Sequence, residues 1–177
     1  MIGVLVSGEG TNLQALIDVK APIAAVASNR DGVRALRRAR EAEIPARVFA
    51  LDRYASRDAR DREMADWLQL RGVDLVILAG YMHLLTHRFL DRFPDRVVNV
   101  HPSLLPAFPG AHAIEDALQA GVETTGVTVH YVDEGLDTGA VICQEPVPVE
   151  PRGTLLERIH AVEHRLLPEV VQELCAR

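Results

Sequence analysis

The stretch "VDLVILAG", residues 73–80, decides the fold. After one aspartate it runs apolar without a break. A strand with one face in water alternates polar and apolar residues; this one does not. It is therefore expected to lie in a parallel sheet covered on both faces. The run, even extended to "VDLVILAGYM", is too short and too interrupted to span a bilayer.

The chain on either side supplies the covering layers. Upstream, "RDARDREMADWLQLRG" reads as a charged helix closed by Gly72. Before it, "IGVLV", "IAAVAS" and "ARVFAL" read as strands, separated by helices at "NLQALIDV" and "GVRALRRAREAE". In the second helix Val33, Leu36 and Ala39 or Arg40 recur at helical spacing. Downstream come a short helix near "THRFLDRF" and the strand "VVNV". This alternation predicts an α/β fold: a doubly wound, mostly parallel twisted sheet with helices on both faces. The tail departs from it. "GVTVHYV" and "GAVICQEPVPV" are close in sequence and predict a late antiparallel pair. A long helix comes last, with the stripe Leu155, Ile159, Val162, Leu166 and Val170, and Pro168 is expected to kink or split it. Without repeats or a linker, residues 1–177 are expected to form a single domain.

The chain has 177 residues, 48% of them hydrophobic, enough for a sizeable core. Its net charge of −6 is spread along the sequence, so no nucleic-acid partner is expected. It enters a strand almost at once, without the basic and apolar regions of a signal peptide. Cys143 and Cys175 make neither a disulfide framework nor a metal spacing. A cytoplasmic protein without a membrane partner is expected.

"SGEGTN", Ser7 to Asn12, lies between the first strand and the first helix. Glycines there allow close backbone approach, and helix N-terminal amides attract an anion. No Lys-Ser/Thr comes after them, so this is not a P-loop; Leu13 breaks the dinucleotide fingerprint. Nor does the second strand, ending "ASNR", offer an acid to a ribose diol. A sugar monophosphate fits the turn better than NAD. The plain alternative is a tight turn with Thr11 or Asn12 as helix N-cap.

Ligands of open parallel sheets bind beyond the carboxyl ends of the strands. Three motifs fall there: "SGEGTN", "AGYMHLL" and "NVHPSLLP". Tyr81, Met82, Leu84 and Leu85 offer an apolar wall for a flat heteroaromatic ligand. Asn99 and His101 are two apart on a strand and share a face. The prolines of "HPSLLPAFPG" stiffen the loop beyond that strand. "HYVDEGLDTGAV" then brings Asp133, Glu134 and Asp137, any of which could orient an imidazole.

In this order, "VLVSGEGTNLQALI", "NVHPSLLPAFPG" and "GVTVHYVDEGLDTG" resemble the phosphoribosylglycinamide formyltransferases of purine synthesis over essentially the whole chain. The "HPSLLP" element is shared with other folate-dependent formyl enzymes. The resemblance implies a Rossmann-like fold and a reaction in which the amine of glycinamide ribonucleotide takes the formyl group of 10-formyltetrahydrofolate, the co-substrate, without a metal. It also implies roles. Asn99, His101 and Asp137 would be catalytic. Gly10, Thr11, Asn12, His160 and Glu163 would hold the ribonucleotide. Arg57, Met82, His83, Leu84, Leu85, Asn99, Asp133, Glu134, Gly135, Leu136 and Asp137 would line the folate site. Position 83 is His where relatives often carry Arg. The partners implied are these small molecules, with the chain a monomer or a homodimer.

Two other readings remain open at this level. A formyltetrahydrofolate hydrolase would turn the same three residues on water. A non-catalytic sugar-phosphate sensor would keep "SGEGTN" and need neither His101 nor Asp137. Without the resemblance, His160 and Glu163 would be read as a solvated helix face, and residues 108–124 are expected to be the mobile element.

Overall fold

A computed structural model describes residues 1–176. Among them, seven strands form one sheet: β1 (Ile2–Val6), β2 (Ile23–Ser28), β3 (Ala46–Val48), β4 (Leu75–Leu78), β5 (Val97–His101), β6 (Thr124–Tyr131) and β7 (Val141–Pro148). Their order is β3-β2-β1-β4-β5-β6-β7. The pairs from β3 to β5 are parallel; β5–β6 and β6–β7 are antiparallel. The helices are α1 (Thr11–Asp18), α2 (Arg34–Glu41), α3 (Arg57–Gln69), α4 (His87–Leu90), α5 (Ala113–Ala120) and α6 (Leu155–Ala176).

The period of two in each strand builds two cores. Ile2, Val4 and Val6 of β1, with Leu75 and Ile77 of β4, meet Leu13, Leu16, Ile159 and Leu167 from α1 and α6. Leu5, Val76 and Leu78 point the other way, onto Met64, Trp67, Leu68 and Phe89 from α3 and α4. An unbroken apolar run at β4 is what two such layers require.

Two expectations are corrected, and one helix was not expected. The third strand stops at Val48, not Leu51, because β2 ends at Ser28 and offers no further partner; a 3-10 turn comes next at Leu51–Arg53. Residues 108–124 contain α5, which buries only Ala113 and Ala117. Two small side chains one turn apart make a weak periodic signal. Pro168 does not split the last helix: α6 runs continuously to Ala176, with Leu166, Leu167, Pro168, Val170 and Val171 all buried. That packing outweighs the hydrogen bond that proline cannot donate.

The topology leaves one crevice. Chain order reverses between β1 and β4, and the carboxyl ends of β1, β4 and β5 meet beside it.

Candidate active site

A cavity of about 590 Å³ opens at those strand ends. Ser7 to Asn12 form one side, Tyr81 to Leu85 another, and Asn99 with His101 the floor. Asp133, Gly135, Leu136 and Asp137 come over from the β6–β7 loop, and His160 and Glu163 from α6. Of the residues singled out by sequence, Arg57 and Glu134 stay outside these walls, both solvent-exposed. Met82, Leu84 and Leu136 are about half exposed, an apolar rim with room for a ligand to cover it.

Asn99 and His101 point away from the core that holds Val98 and Val100, as strand alternation demands. His101 is 4% exposed. Its Nε2 lies 2.8 Å from the Phe108 carbonyl oxygen, which can only accept, so Nε2 carries the hydrogen. Nδ1 is left facing Asp137 Oδ2 at 3.5 Å. The other oxygen, Oδ1, lies 3.4 Å from Asn99 Nδ2. The imidazole, amide and carboxylate expected from separate motifs thus surround one point.

Two stiff loops hold them. In the segment after His101, Thr128 Oγ1 donates to Ser103 O at 2.6 Å, and Gln144 Nε2 donates to Leu105 O at 2.8 Å. The Gly110 N–H donates to Asp137 Oδ2 at 2.8 Å, tying this loop to the acidic one. Phe108 and Asp137 both take positive φ, 53° and 54°, a region costly for most side chains and concentrated at functional sites. Burial works to raise the Asp137 pKa. It is outweighed by the neighbouring His130 ring, by the Gly110 N–H and by the His101 imidazole, and the carboxyl titrates below its ordinary range.

His130 opens the stretch "HYVDEGLDTGAV" but takes no role from the sequence motifs. It stands directly across from Asn99 in the β5–β6 register and is 1% exposed. Its Nδ1 lies 2.8 Å from the Tyr131 carbonyl, so Nε2 is the acceptor, 3.2 Å from Asn99 Nδ2. Nε2 is also 3.6 Å from Asp137 Oδ1. The signal existed: Val127 and Val129 alternate into the core, so Thr128 and His130 must face the side of Asn99.

At the Gly-rich turn neither Thr11 nor Asn12 is the N-cap. Gly10 takes that place at φ 70°, and no side chain caps the helix. The Asn12 side chain turns instead to α6, with Nδ2 donating to Glu163 Oε2 at 3.1 Å. Glu163 is no solvated residue; it is 6% exposed, and burial pushes its pKa up to about 7 against the opposing pull of Asn12. Burial also lowers the His160 pKa. Among the described residues, no group of three or more His, Cys, Asp and Glu side chains is placed to hold a metal ion.

Fold and cavity define an α/β protein with a concave site at its strand ends, floored by an amide and an imidazole with a carboxylate beside them. Residues 1–171 match the formyl transferase family. The phosphoribosylglycinamide formyltransferase of Haemophilus influenzae is 40% identical over 180 residues, covering 97% of this chain and 85% of the relative. That of Bacillus subtilis is 37% identical, covering 97% and 92%. The solved phosphoribosylglycinamide formyltransferase from Bacillus halodurans superposes with a TM-score of 0.95 at 41% identity, over 99% of this chain and 95% of that one. The trifunctional purine biosynthetic protein adenosine-3 of Drosophila melanogaster is 44% identical, but the chain spans 14% of its length. The chain belongs to the formyl transferase family.

Proposed function

We propose that this chain moves the formyl group of 10-formyltetrahydrofolate to the amine of glycinamide ribonucleotide, within one formyltransferase domain over residues 1–177. The observation that carries the reading is one cavity uniting an uncapped Gly-rich turn, an apolar wall and the Asn99–His101–Asp137 cluster. The ribonucleotide phosphate sits on Gly10, Thr11 and Asn12, where the first amides of α1 have no side-chain acceptor. His160 and Glu163 bound the same substrate. The folate lies along Met82 to Leu85 and under Asp133 to Asp137.

The amine attacks the formyl carbon, and the carbonyl oxygen gathers negative charge. Asn99 Nδ2 has two hydrogens. One goes to His130; the other makes the long 3.4 Å contact with Asp137 and is the one to donate to the oxyanion. His101 donates from Nδ1 once protonated, with Asp137 Oδ2 3.5 Å from that nitrogen. Asp137 accepts the proton that the attacking nitrogen loses, and His101 returns one to N10 as the carbon–nitrogen bond breaks. Such transfers contribute roughly 10²–10⁴-fold. A formamide on an aryl amine is already activated, so the step calls for donors rather than a metal. Two free cysteines among the described residues, Cys143 and Cys175, suit a reducing cytoplasm.

The test is direct. Protein is mixed with 10-formyltetrahydrofolate, with and without glycinamide ribonucleotide. Tetrahydrofolate release that depends on the ribonucleotide is expected. Equal release without it would make the chain a hydrolase, and no release in either mixture would leave a binding protein.

A further inference from the structure

A fully buried arginine lies behind the cavity wall, and the chemistry above does not use it. Arg60, on α3, donates from Nε to Asp61 Oδ1 at 2.7 Å, and both side chains are wholly shielded from solvent. Asp61 Oδ2 accepts the Thr86 N–H at 2.7 Å. On the other side, Arg60 Nη1 lies 2.6 Å from His83 Nδ1. His83 Nε2 lies 3.2 Å from Asn29 Nδ2, and Ser7 Oγ lies 2.6 Å from Asn29 Oδ1, an assignment of the amide's two ends that the hydrogens require to be exchanged. Ser7 Oγ also accepts the Met82 N–H at 2.9 Å.

The hydrogens in this chain can run in one direction alone. A guanidinium has donors and no acceptor, so His83 Nδ1 accepts. The hydrogen of the neutral ring then sits on Nε2 and needs an oxygen. Asn29 must turn its carbonyl oxygen to His83 and its NH2 to Ser7. The opposite orientation would set N–H donors against both ring nitrogens and leave no place for the ring hydrogen; the two ends of an amide have nearly the same shape. Ser7 Oγ then accepts from Asn29 and from Met82, and its own hydrogen is left over. Ser7 lines the cavity beside Gly8.

We propose that Arg60, His83 and Asn29 are positioning residues: they fix the Ser7 hydroxyl as a hydrogen-bond donor into the cavity, for an acceptor oxygen of the sugar-phosphate substrate. This rests on the function proposed above, which supplies that substrate. It gives His83 a task in the wall other than direct contact with folate. It also accounts for a charged side chain kept where burial is costly.

The experiment has an arm that needs no turnover. In nitrogen-15-labelled protein near pH 7, the His83 ring is expected as the Nε2–H tautomer. The Nδ1–H tautomer, or a ring carrying both hydrogens, would overturn the proposal. In the kinetic arm, Ser7→Ala should raise KM for glycinamide ribonucleotide about tenfold, the loss of one good hydrogen bond. It should leave KM for folate within twofold. His83→Phe should raise the ribonucleotide KM by the same factor, His83→Gln should recover most of that loss, and Ser7→Ala with His83→Phe should bind the ribonucleotide no worse than Ser7→Ala alone. Multiplying losses in the double variant, a shift in the folate KM instead, or an unchanged Ser7→Ala would each overturn it. If His83→Phe does not fold, Ser7→Ala and the tautomer decide. Wild-type protein without turnover would sink the functional reading, while the tautomer would still judge the hydrogen-bond chain.

Discussion

At the residue scale, the site depends on where single hydrogens sit. His101 gives its Nε2 hydrogen to Phe108, so Nδ1 alone can exchange a proton with substrate or with Asp137. Replacing His101 by Ala should lower kcat by about 10²–10⁴-fold and leave both KM values within a few-fold, as steady-state kinetics would read. Asp137→Asn should bring a similar loss and flatten the acid limb of the kcat profile. The wild-type carboxyl titrates below its ordinary range and so stays ionised through neutral pH. Glu163 behaves oppositely. Its folded pKa of about 7 lies above the ordinary 4.5, so the folded protein holds this proton more tightly than the unfolded chain. The stabilisation is complete below about pH 4.5 and is lost as pH rises through 7, a span worth about 3 kcal/mol if the pocket stays dry. Denaturant unfolding from pH 5 to 8 should therefore show wild type losing stability relative to Glu163→Gln. Parallel curves for the two proteins would contradict the assignment.

At the element scale, the turn between β1 and α1 must come close to α2. A Cβ built on Gly10 would lie 2.6 Å from the Ala35 Cβ, and the backbone there is at φ 70°. Gly10→Ala should cost about 1–3 kcal/mol in urea unfolding and raise KM for the ribonucleotide, because the strained turn has to shift. Period and punctuation made most elements legible in the sequence. β4 announced its two covers by never alternating, and Asn99 and His101 shared a face simply by being two apart. What stayed hidden depended on partners distant in the chain. β3 ended early because β2 ran out, α5 buried only alanines, and Pro168 stayed helical under tertiary packing. His130 became visible as a site residue only once β6 was laid antiparallel to β5. The arginine behind His83 is likewise a contact between α3 and the loop after β4, with no local sign.

At the scale of the whole molecule, topology does the gathering. Strand order reverses at β1 and β4, so the Gly-rich turn and the apolar wall face each other across the crevice. The antiparallel excursion β5-β6-β7 then swings the Asp137 loop back over β5, and α6 closes the remaining side with Glu163. Segments 151 residues apart, at Asn12 and Glu163, are thereby joined through one hydrogen bond. The central claim is that this convergence sets an amine and a formyl carbon against one set of donors. A crystal structure of the protein with glycinamide ribonucleotide and an unreactive formylfolate analogue measures it. The amine nitrogen should lie about 3–3.5 Å from the carbon that stands in for the formyl group. The oxygen on that carbon should lie within hydrogen-bond distance of Asn99 Nδ2 and His101 Nδ1. A complex with both ligands bound but that oxygen turned away from Asn99 and His101, or the two reacting atoms on opposite sides of Asp137, would contradict the account.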